Sequence, residues 1–270
     1  MVRFPKAKIN IGLSITSKRA DGFHNIESIF HPIGLCDILE AIPNSTGKFN
    51  LQLEGLTIAG KVENNLVFKA WEMLQTDFEI PGVDVVLHKI IPMGAGLGGG
   101  SADGSHMLLL LNDLFELKLT QAQLLDYALR LGSDCPFFII EEPCFVSGRG
   151  EQMEQIDLDL TGKYIVIINP NIHIGTAEAY RSISPVKAQT DYTKLSKTPI
   201  HTWKDAVIND FEAPMMRNYP ALEAIKQQLY SAGAIYASMT GSGSTMFGLF
   251  NEQPPNMVFD PSYFCWKGQL

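Results

Sequence analysis

Hydrophobic and polar residues alternate along most of the first fifty positions of this 270-residue chain. In residues 4–16, Ile9, Ile11, Leu13 and Ile15 fall on one face of an extended chain, which predicts a long opening strand. A turn signal at residues 19–22 ends that strand. Further strands are predicted over residues 26–32, 37–42 and 49–53. The chain is therefore expected to begin mostly as sheet.

The pattern then changes to a helical period. Five hydrophobic residues after residue 65 recur at the three- and four-residue spacing of an amphipathic helix: Leu66, Val67, Ala70, Trp71 and Leu74. A strand is predicted over residues 83–91 and an apolar helix after residue 101. Thr120 and Gln123 form a capping-box pattern, which predicts a helix that begins there and ends at Gly132.

The second half combines strands with short helices. Strands are predicted over residues 164–169, 234–239 and 245–250, and helices over 176–183 and 220–232. The stretch 190–202 is polar and shows no core pattern. These elements predict an α+β half with helices on one sheet face. We place a domain boundary near residue 150, which gives domains 1–150 and 151–270.

Composition and charge exclude several classes of protein. The formal net charge is -8 and there is no run of lysine or arginine, which argues against a nucleic-acid partner. The longest apolar runs are too short to cross a bilayer, and no signal-peptide pattern begins the chain. Four scattered cysteines and six histidines without ligand spacing predict reduced thiols, a cytoplasmic location and no protein-held metal.

The clearest indication of a functional site is a group of five glycines between positions 94 and 100, which precede an apolar helix. Glycine tolerates positive φ, so successive N–H groups can surround one anion, and a helix N-terminus adds further N–H groups. Three other phosphate-binding classes fit less well. There is no lysine after the last glycine, as a P-loop requires. About ninety residues precede the loop, unlike a dinucleotide-binding fold, and protein-kinase signatures are absent.

Several segments together resemble the GHMP small-molecule kinases. They are residues 5–10 (PKAKIN), 19–24 (RADGFH), 92–103 (PMGAGLGGGSAD), 131–136 (LGSDCP) and 239–244 (MTGSGS). The resemblance implies a two-domain α+β fold, with an N-terminal ATP-binding domain like ribosomal protein S5 and a ferredoxin-like C-terminal domain. It also implies that ATP and the substrate bind in a cleft between these domains. Within the family, the match is to kinases whose alcohol substrate carries a cytidine diphosphate group.

The resemblance gives Lys8 and Asp134 as the catalytic pair. Phosphoryl transfer needs positioning and charge neutralisation more than covalent chemistry. Asp134 would align the substrate hydroxyl and take its proton, while Lys8 would keep Asp134 ionised and neutralise charge on the transferred group. From spacing alone, the alternatives are a surface lysine and an aspartate at a helix end.

The resemblance also gives the residues that bind ATP. The loop residues implied to surround its phosphates are Pro92, Met93, Gly94, Ala95, Gly96, Leu97, Gly98, Gly99, Gly100, Ser101 and Ala102. Asn65 matches a position that contacts adenine, although it would serve equally well as a helix N-cap. Mg²⁺ is expected to arrive with the nucleotide. Ala102 departs from the family, since many relatives carry a second serine there.

Seven residues match positions that bind the other substrate: Asn10, Phe23, His24, Thr176, Tyr180, Gly241 and Ser242. Phe23 and Tyr180 would sandwich cytosine while His24 bonds its polar edge, because base stacking on aromatic rings contributes about 1–3 kcal/mol. Gly241 and Ser242 would bring a second glycine loop to the substrate phosphates, or they form only a hairpin turn.

Two other functions remain open from sequence. A homoserine- or mevalonate-type kinase would share the fold but would not need aromatic residues for a base. A non-catalytic nucleotide sensor would be expected to lack Lys8 or Asp134, and both are present. The predicted partners are small molecules, with no nucleic acid or membrane, and the chain is expected to be a monomer or a weak homodimer.

Overall fold

The structure is a computed structural model, and it describes residues 1–58 and 60–270. The chain divides into two compact units, each built from segments that are distant in sequence. The first unit comprises Met1–Ala7, Leu35–Met93 and Gly98–Glu141; the second comprises Lys8–Gly34, Gly94–Leu97 and Glu142–Leu270. The domains 1–150 and 151–270 that we expect from sequence stay a prediction.

The described residues form both strands and helices. The strands are β1 (Val2–Arg3), β2 (Lys6–Lys18), β3 (His24–Cys36), β4 (Ile38–Pro43), β5 (Phe49–Gly55), β6 (Val83–Lys89), β7 (Cys144–Ser147), β8 (Gln152–Gln155), β9 (Tyr164–Asn169), β10 (Tyr236–Met239), β11 (Met246–Phe250) and β12 (Phe264–Gln269). The α-helices are α1 (Leu66–Phe78), α2 (Gly99–Leu114), α3 (Gln121–Leu131), α4 (Phe137–Ile140), α5 (Thr176–Arg181), α6 (Glu212–Asn218) and α7 (Pro220–Ser231). Short 3₁₀ helices occupy Val62–Asn64, Tyr192–Lys197 and Ile200–Asp205. No helix in the described ranges has the length and apolar character that a membrane span requires.

One mixed sheet and three packed helices form most of the first unit. The strand order is β1-β4-β6-β5, and β5 and β6 are parallel, with α1 as the crossover that a parallel pair requires. Trp71, Leu87 and Leu108 belong to one buried core shared by the sheet and the helices. The capping box of Thr120 and Gln123 is present, and α3 begins and ends as predicted.

The second unit contains two four-stranded sheets. Their strand orders are β2-β3-β7-β8 and β10-β11-β9-β12. In the latter sheet β9 is central and pairs antiparallel with both β11 and β12. The apolar side of α7, which carries Leu222, Ile225 and Leu229, is buried and packs on β10 and β11. The predicted α+β arrangement of the second half is therefore confirmed.

Three local differences from the sequence expectations have physical reasons. Helix α2 begins at Gly99, inside the glycine run, because Gly98 ends the loop with a positive φ. The polar stretch 190–202 buries Tyr192 under Gly12, where an added Cβ would lie 2.6 Å from the tyrosine ring. The region after residue 250, which has no predicted element, contributes β12 as an edge strand whose residues are alternately exposed and half-buried. In the last two cases the structure is decided by a distant segment: Tyr192 packs against Gly12, and β12 pairs with β9.

Candidate active site

The glycine-rich loop has the backbone geometry of an anion-binding loop. Gly94, Gly96 and Gly98 have φ values of 62°, 79° and 73°, which side-chain-bearing residues rarely adopt. Gly98 is the N-cap of α2 and has no side chain that could cap the helix. The first N–H groups of α2 have no acceptor within the helix. The loop and the helix start therefore suit the phosphates of a nucleotide.

Lys8 is held in a fixed position within the second unit. It lies on β2, with 3% of the residue exposed. Its Nζ donates to Asn10 Oδ1 over 2.6 Å and to the carbonyl oxygen of Gly96 over 3.2 Å. The ammonium also lies 4.5 Å from the centroid of the Phe30 ring. This charge is therefore oriented by the side-chain oxygen of Asn10, the carbonyl of Gly96 in the glycine-rich loop and the face of the Phe30 ring.

Asn10 connects Lys8 to the second glycine loop, which joins β10 to β11. Asn10 Oδ1 accepts a hydrogen bond from the backbone N–H of Gly241 over 2.9 Å as well as from Lys8. Its Nδ2 donates to Ser28 Oγ over 2.9 Å, and 1% of the residue is exposed. Because both ends of the amide are bonded within the protein, the geometry supports a role in orienting Lys8. Direct binding of the substrate by Asn10 stays a prediction.

The tips of the two glycine loops pack backbone against backbone in the second unit. A Cβ added to Gly96 would lie 2.0 Å from the carbonyl oxygen of Thr240, and one added to Gly241 would lie 2.8 Å from Gly96 Cα. The Thr240 hydroxyl donates to the Gly96 carbonyl over 2.9 Å and accepts from the Asn10 N–H over 3.0 Å. Asn209 Nδ2 donates to the carbonyl of Gly241 over 2.8 Å. The second glycine loop is a hairpin turn that also supports the first.

Asp134 lies in the turn between α3 and α4 of the first unit and is half-buried. The next residue fixes this turn to α2, since Ser105 Oγ donates to the carbonyl oxygen of Cys135 over 2.8 Å. Burial raises the pKa of the Cys135 thiol to about 11, while a hydrogen bond with Ser101 opposes the rise. The predicted catalytic carboxylate and the predicted phosphate-binding Ser101 are therefore on adjoining segments of one compact unit.

An aromatic cluster lies in the second unit. The rings of His24 and Tyr180 stack with centroids 4.6 Å apart and an interplanar angle of 17°. Tyr180 also meets Phe211 edge-on at 5.0 Å. Phe23 is 55% exposed, and the Arg149 guanidinium lies 5.1 Å from its ring centroid. The distance between His24 and Tyr180 is that of two rings in direct contact, so a third ring fits between them only if they separate.

Comparisons with known proteins identify the family. The model of the GHMP kinases N terminal domain matches residues 65–142, and that of the GHMP kinases C terminal domain matches residues 202–260. A 4-diphosphocytidyl-2-C-methyl-D-erythritol kinase of Bacteroides fragilis is 46% identical, and the match covers 100% of both chains. The chain belongs to the 4-diphosphocytidyl-2-C-methyl-D-erythritol kinase family. The protein of that name from Bacteroides thetaiotaomicron is 44% identical, again over 100% of both chains.

Two solved structures share the fold of this chain. A crystal structure of a 4-(cytidine 5'-diphospho)-2C-methyl-D-erythritol kinase is 30% identical and has a TM-score of 0.81 over 92% of this chain and 90% of that chain. A homoserine kinase from Cytophaga hutchinsonii, 16% identical, has a TM-score of 0.68 over 92% of this chain and 86% of that chain, and shares the fold. The α+β GHMP kinase fold is thus confirmed.

The remaining residues predicted from the family lie in varied surroundings. Asn65 caps α1, because its Oδ1 accepts the Val67 N–H over 3.0 Å. Thr176 is exposed at the first position of α5, and Ser242 is half-buried in the hairpin turn. Ala102 is buried in α2. The ligand contacts predicted for these residues in the 4-diphosphocytidyl-2-C-methyl-D-erythritol kinase family stay predictions.

Two residues of this network, Thr240 and Asn209, have no role that the sequence motifs assign. Thr240 belongs to the quoted segment 239–244, so its place beside the glycines was a usable signal. Asn209 lies between the 3₁₀ helix Ile200–Asp205 and α6, and no sequence motif marks it. Both are fully buried polar residues whose hydrogen bonds hold the hairpin turn. They support the site without carrying its chemistry.

Proposed function

We propose that this chain transfers the γ-phosphoryl group of ATP to a hydroxyl of 4-diphosphocytidyl-2-C-methyl-D-erythritol, giving the 2-phosphate and ADP. The reaction belongs to the non-mevalonate pathway of isoprenoid biosynthesis, and we place the enzyme in the cytoplasm. The observation that carries the proposal is 46% identity over the whole length of a relative with that name. The family's Lys8 and Asp134 positions are filled, which favours an active kinase over a nucleotide sensor.

The nucleotide phosphates are assigned to the glycine-rich loop and the first turn of α2. The positive φ at Gly94, Gly96 and Gly98, and the absence of a side chain at the N-cap, support this assignment. Ser101, half-buried in the first turn, would hold the β-phosphate or Mg²⁺ through its hydroxyl. Bound with the nucleotide, Mg²⁺ supplies charge neutralisation at the β- and γ-phosphate oxygens.

Lys8 and Asp134 take separate roles in the transfer. Lys8 neutralises charge on the transferred phosphoryl group, and its hydrogen bonds to Asn10 and Gly96 pre-orient the ammonium for this task. Asp134 accepts the hydrogen bond of the attacking hydroxyl and takes its proton late in the transfer. Thr240 acts on Lys8 indirectly, because it bonds the same Gly96 carbonyl.

The cytidine group is assigned to Phe23, His24 and Tyr180. These residues offer one exposed ring and one stacked pair in the same unit. The base is assigned to the position between Phe23 and Tyr180, with His24 bonding its polar edge. A base on the face of Tyr180 that now contacts His24 requires those two rings to separate. Thr176 begins the helix that carries Tyr180, and Gly241 and Ser242 are assigned to the phosphates of the substrate.

A coupled assay of ADP release tests the proposal. The protein is mixed with ATP, Mg²⁺ and 4-diphosphocytidyl-2-C-methyl-D-erythritol, with homoserine and mevalonate as parallel acceptors. Turnover with the cytidine compound alone is expected. Turnover with homoserine or mevalonate instead would overturn the assignment of the aromatic residues. If ATP binds but no acceptor supports turnover, the sensor alternative is favoured.

Replacement of Tyr180 tests the assigned base contact. In Tyr180→Ala we expect the KM for the cytidine substrate to rise about 5- to 150-fold, because stacking of one base contributes about 1–3 kcal/mol. The KM for ATP should stay within about twofold. Initial-rate kinetics with each substrate varied in turn give both constants. Tyr180→Phe keeps the ring and serves as the control; an unchanged KM in the alanine variant would contradict the assignment.

A further inference from the structure

Three charged side chains are buried together in the first unit, and none has a role in the reaction described above. Lys89 is the last residue of β6, Asp37 precedes β4, and Asp103 lies in α2; their exposed fractions are 1%, 0% and 2%. Lys89 Nζ donates to Asp103 Oδ2 over 2.8 Å and also donates to Asp37 Oδ2. One ammonium therefore joins two carboxylates from separate elements. We call these three residues the lysine cluster.

The lysine cluster fixes the segment that enters the glycine-rich loop. Asp37 Oδ1 accepts the backbone N–H of Ile90 over 2.5 Å and that of Ile91 over 2.9 Å. Ile91 immediately precedes Pro92, the first loop residue. The side chain of Asp37 thus satisfies two consecutive N–H groups where β6 ends, and it sets the direction in which the chain leaves the sheet.

The same cluster fixes the helix that leaves the loop. Asp103 lies in the second turn of α2, five positions after the N-cap Gly98. The helix start packs directly on the cluster, since a Cβ added to Gly99 would lie 2.9 Å from Ile91 Cγ2 and 3.2 Å from Lys89 Nζ. Lys89 therefore connects the strand before the loop to the helix after it through hydrogen bonds.

Stability alone does not account for the lysine cluster. Burying charges is costly, and buried ion pairs can often be replaced by hydrophobic residues without loss of stability. The cost is visible at Asp103, where burial raises the pKa of the carboxyl, Lys89 opposes the rise and Asp37 adds to it. Directional bonds that fix two segments in register are an attested use of such buried charges.

We propose that Lys89, Asp37 and Asp103 are positioning residues that hold both ends of the glycine-rich loop in its phosphate-binding conformation. The inference rests on the proposed function, in which this loop binds the phosphates of ATP. The cluster acts on the nucleotide only through the loop backbone and the start of α2. Its loss is therefore expected to weaken the use of ATP specifically.

The test uses two variants of the full chain, Lys89→Met and Asp103→Asn. Lys89→Met keeps an unbranched side chain but removes both hydrogen bonds, and we expect the KM for ATP to rise about tenfold or more, because small displacements of positioning groups have large effects. Asp103→Asn keeps the size and an oxygen acceptor for Lys89, so a smaller rise in the same direction is expected. The KM for the alcohol substrate should stay within about twofold in both variants.

A core variant separates positioning from general destabilisation. Leu74→Ala removes a fully buried side chain of α1 from the core that the sheet and helices of the same unit share. It should lower the unfolding midpoint in urea while leaving the KM for ATP unchanged. All kinetics are measured well below the unfolding temperature of each variant. If Lys89→Met does not fold, Asp103→Asn alone decides the question through its KM for ATP.

The outcomes separate this inference from the proposed function. If the cluster variants lose stability as Leu74→Ala does but keep the wild-type KM for ATP, the cluster is only structural and the inference is wrong. If the wild-type protein neither binds ATP nor releases ADP, the proposed function fails, and the inference that depends on it fails too. A specific rise in the KM for ATP supports both.

Discussion

Asp134→Asn is expected to reduce kcat by about 10²- to 10⁴-fold, the usual contribution of a positioned general base. The amide keeps the size of the carboxylate but neither carries its charge nor accepts a proton. The turn that carries Asp134 is bonded to α2 through Ser105 and the Cys135 carbonyl, so the backbone should keep its position. ATP should still bind, with a dissociation constant within about threefold of the wild-type value. The coupled assay gives kcat, and calorimetric titration gives the affinity.

The matched control for this prediction is Asp157→Asn. Asp157 is exposed in the second unit, and its replacement makes the same change in net charge. Its turnover should equal that of the wild-type protein. Near-normal kcat in Asp134→Asn would remove Asp134 from the mechanism, whereas lost ATP binding would indicate a structural defect.

Gly96→Ala is expected to reduce kcat/KM by about 10²-fold, because displacements of about 1 Å at a reacting site have effects of that size. The added Cβ would lie 2.0 Å from the Thr240 carbonyl oxygen, so one of the two glycine loops must move. Movement of Gly96 withdraws the carbonyl that Lys8 and Thr240 both bond. Steady-state kinetics measure kcat/KM, and urea unfolding measures the stability of the variant.

Gly162→Ala separates the clash from backbone strain. Gly162 has φ of 80°, close to the 79° of Gly96, yet no atom lies within 4 Å of an added Cβ. Strain alone should lower the free energy of unfolding by about 1–2 kcal/mol without changing kcat/KM. If Gly96→Ala behaves in the same way, the contact between the loops does not support activity.

Much of the fold is local enough to be predicted from sequence. The alternating isoleucines of β2 and the capping box of α3 carry their own signals, and both elements form where expected. Strand β12 carries no such signal, because it is half-buried at an edge and forms by pairing with β9. Tyr192 fills a space against Gly12 although no periodic pattern surrounds it.

Part of the candidate site can likewise be predicted from sequence, and part of it cannot. The spacing of the glycines and the apolar helix after them indicate a phosphate site without further information, whereas roles for Lys8 and Asp134 require the family resemblance. The bond between Asn10 and Thr240 joins residues 230 positions apart, and the lysine cluster joins Asp37, Lys89 and Asp103. Such networks depend on the folded chain, so a single sequence cannot reveal which polar residues meet.

The buried thiol next to Asp134 has a consequence for redox chemistry. Because the pKa of Cys135 is raised to about 11, about one thiol in ten thousand is ionised at pH 7. Peroxides and alkylating reagents react with the thiolate, so this cysteine should resist both. Cys265 is the most exposed of the four cysteines, Cys36 is half-buried, and Cys135 and Cys144 are buried. Oxidative damage or covalent labelling would therefore begin at Cys265, which is far along the sequence from Asp134. The thiol of Cys135, next to Asp134, would stay intact.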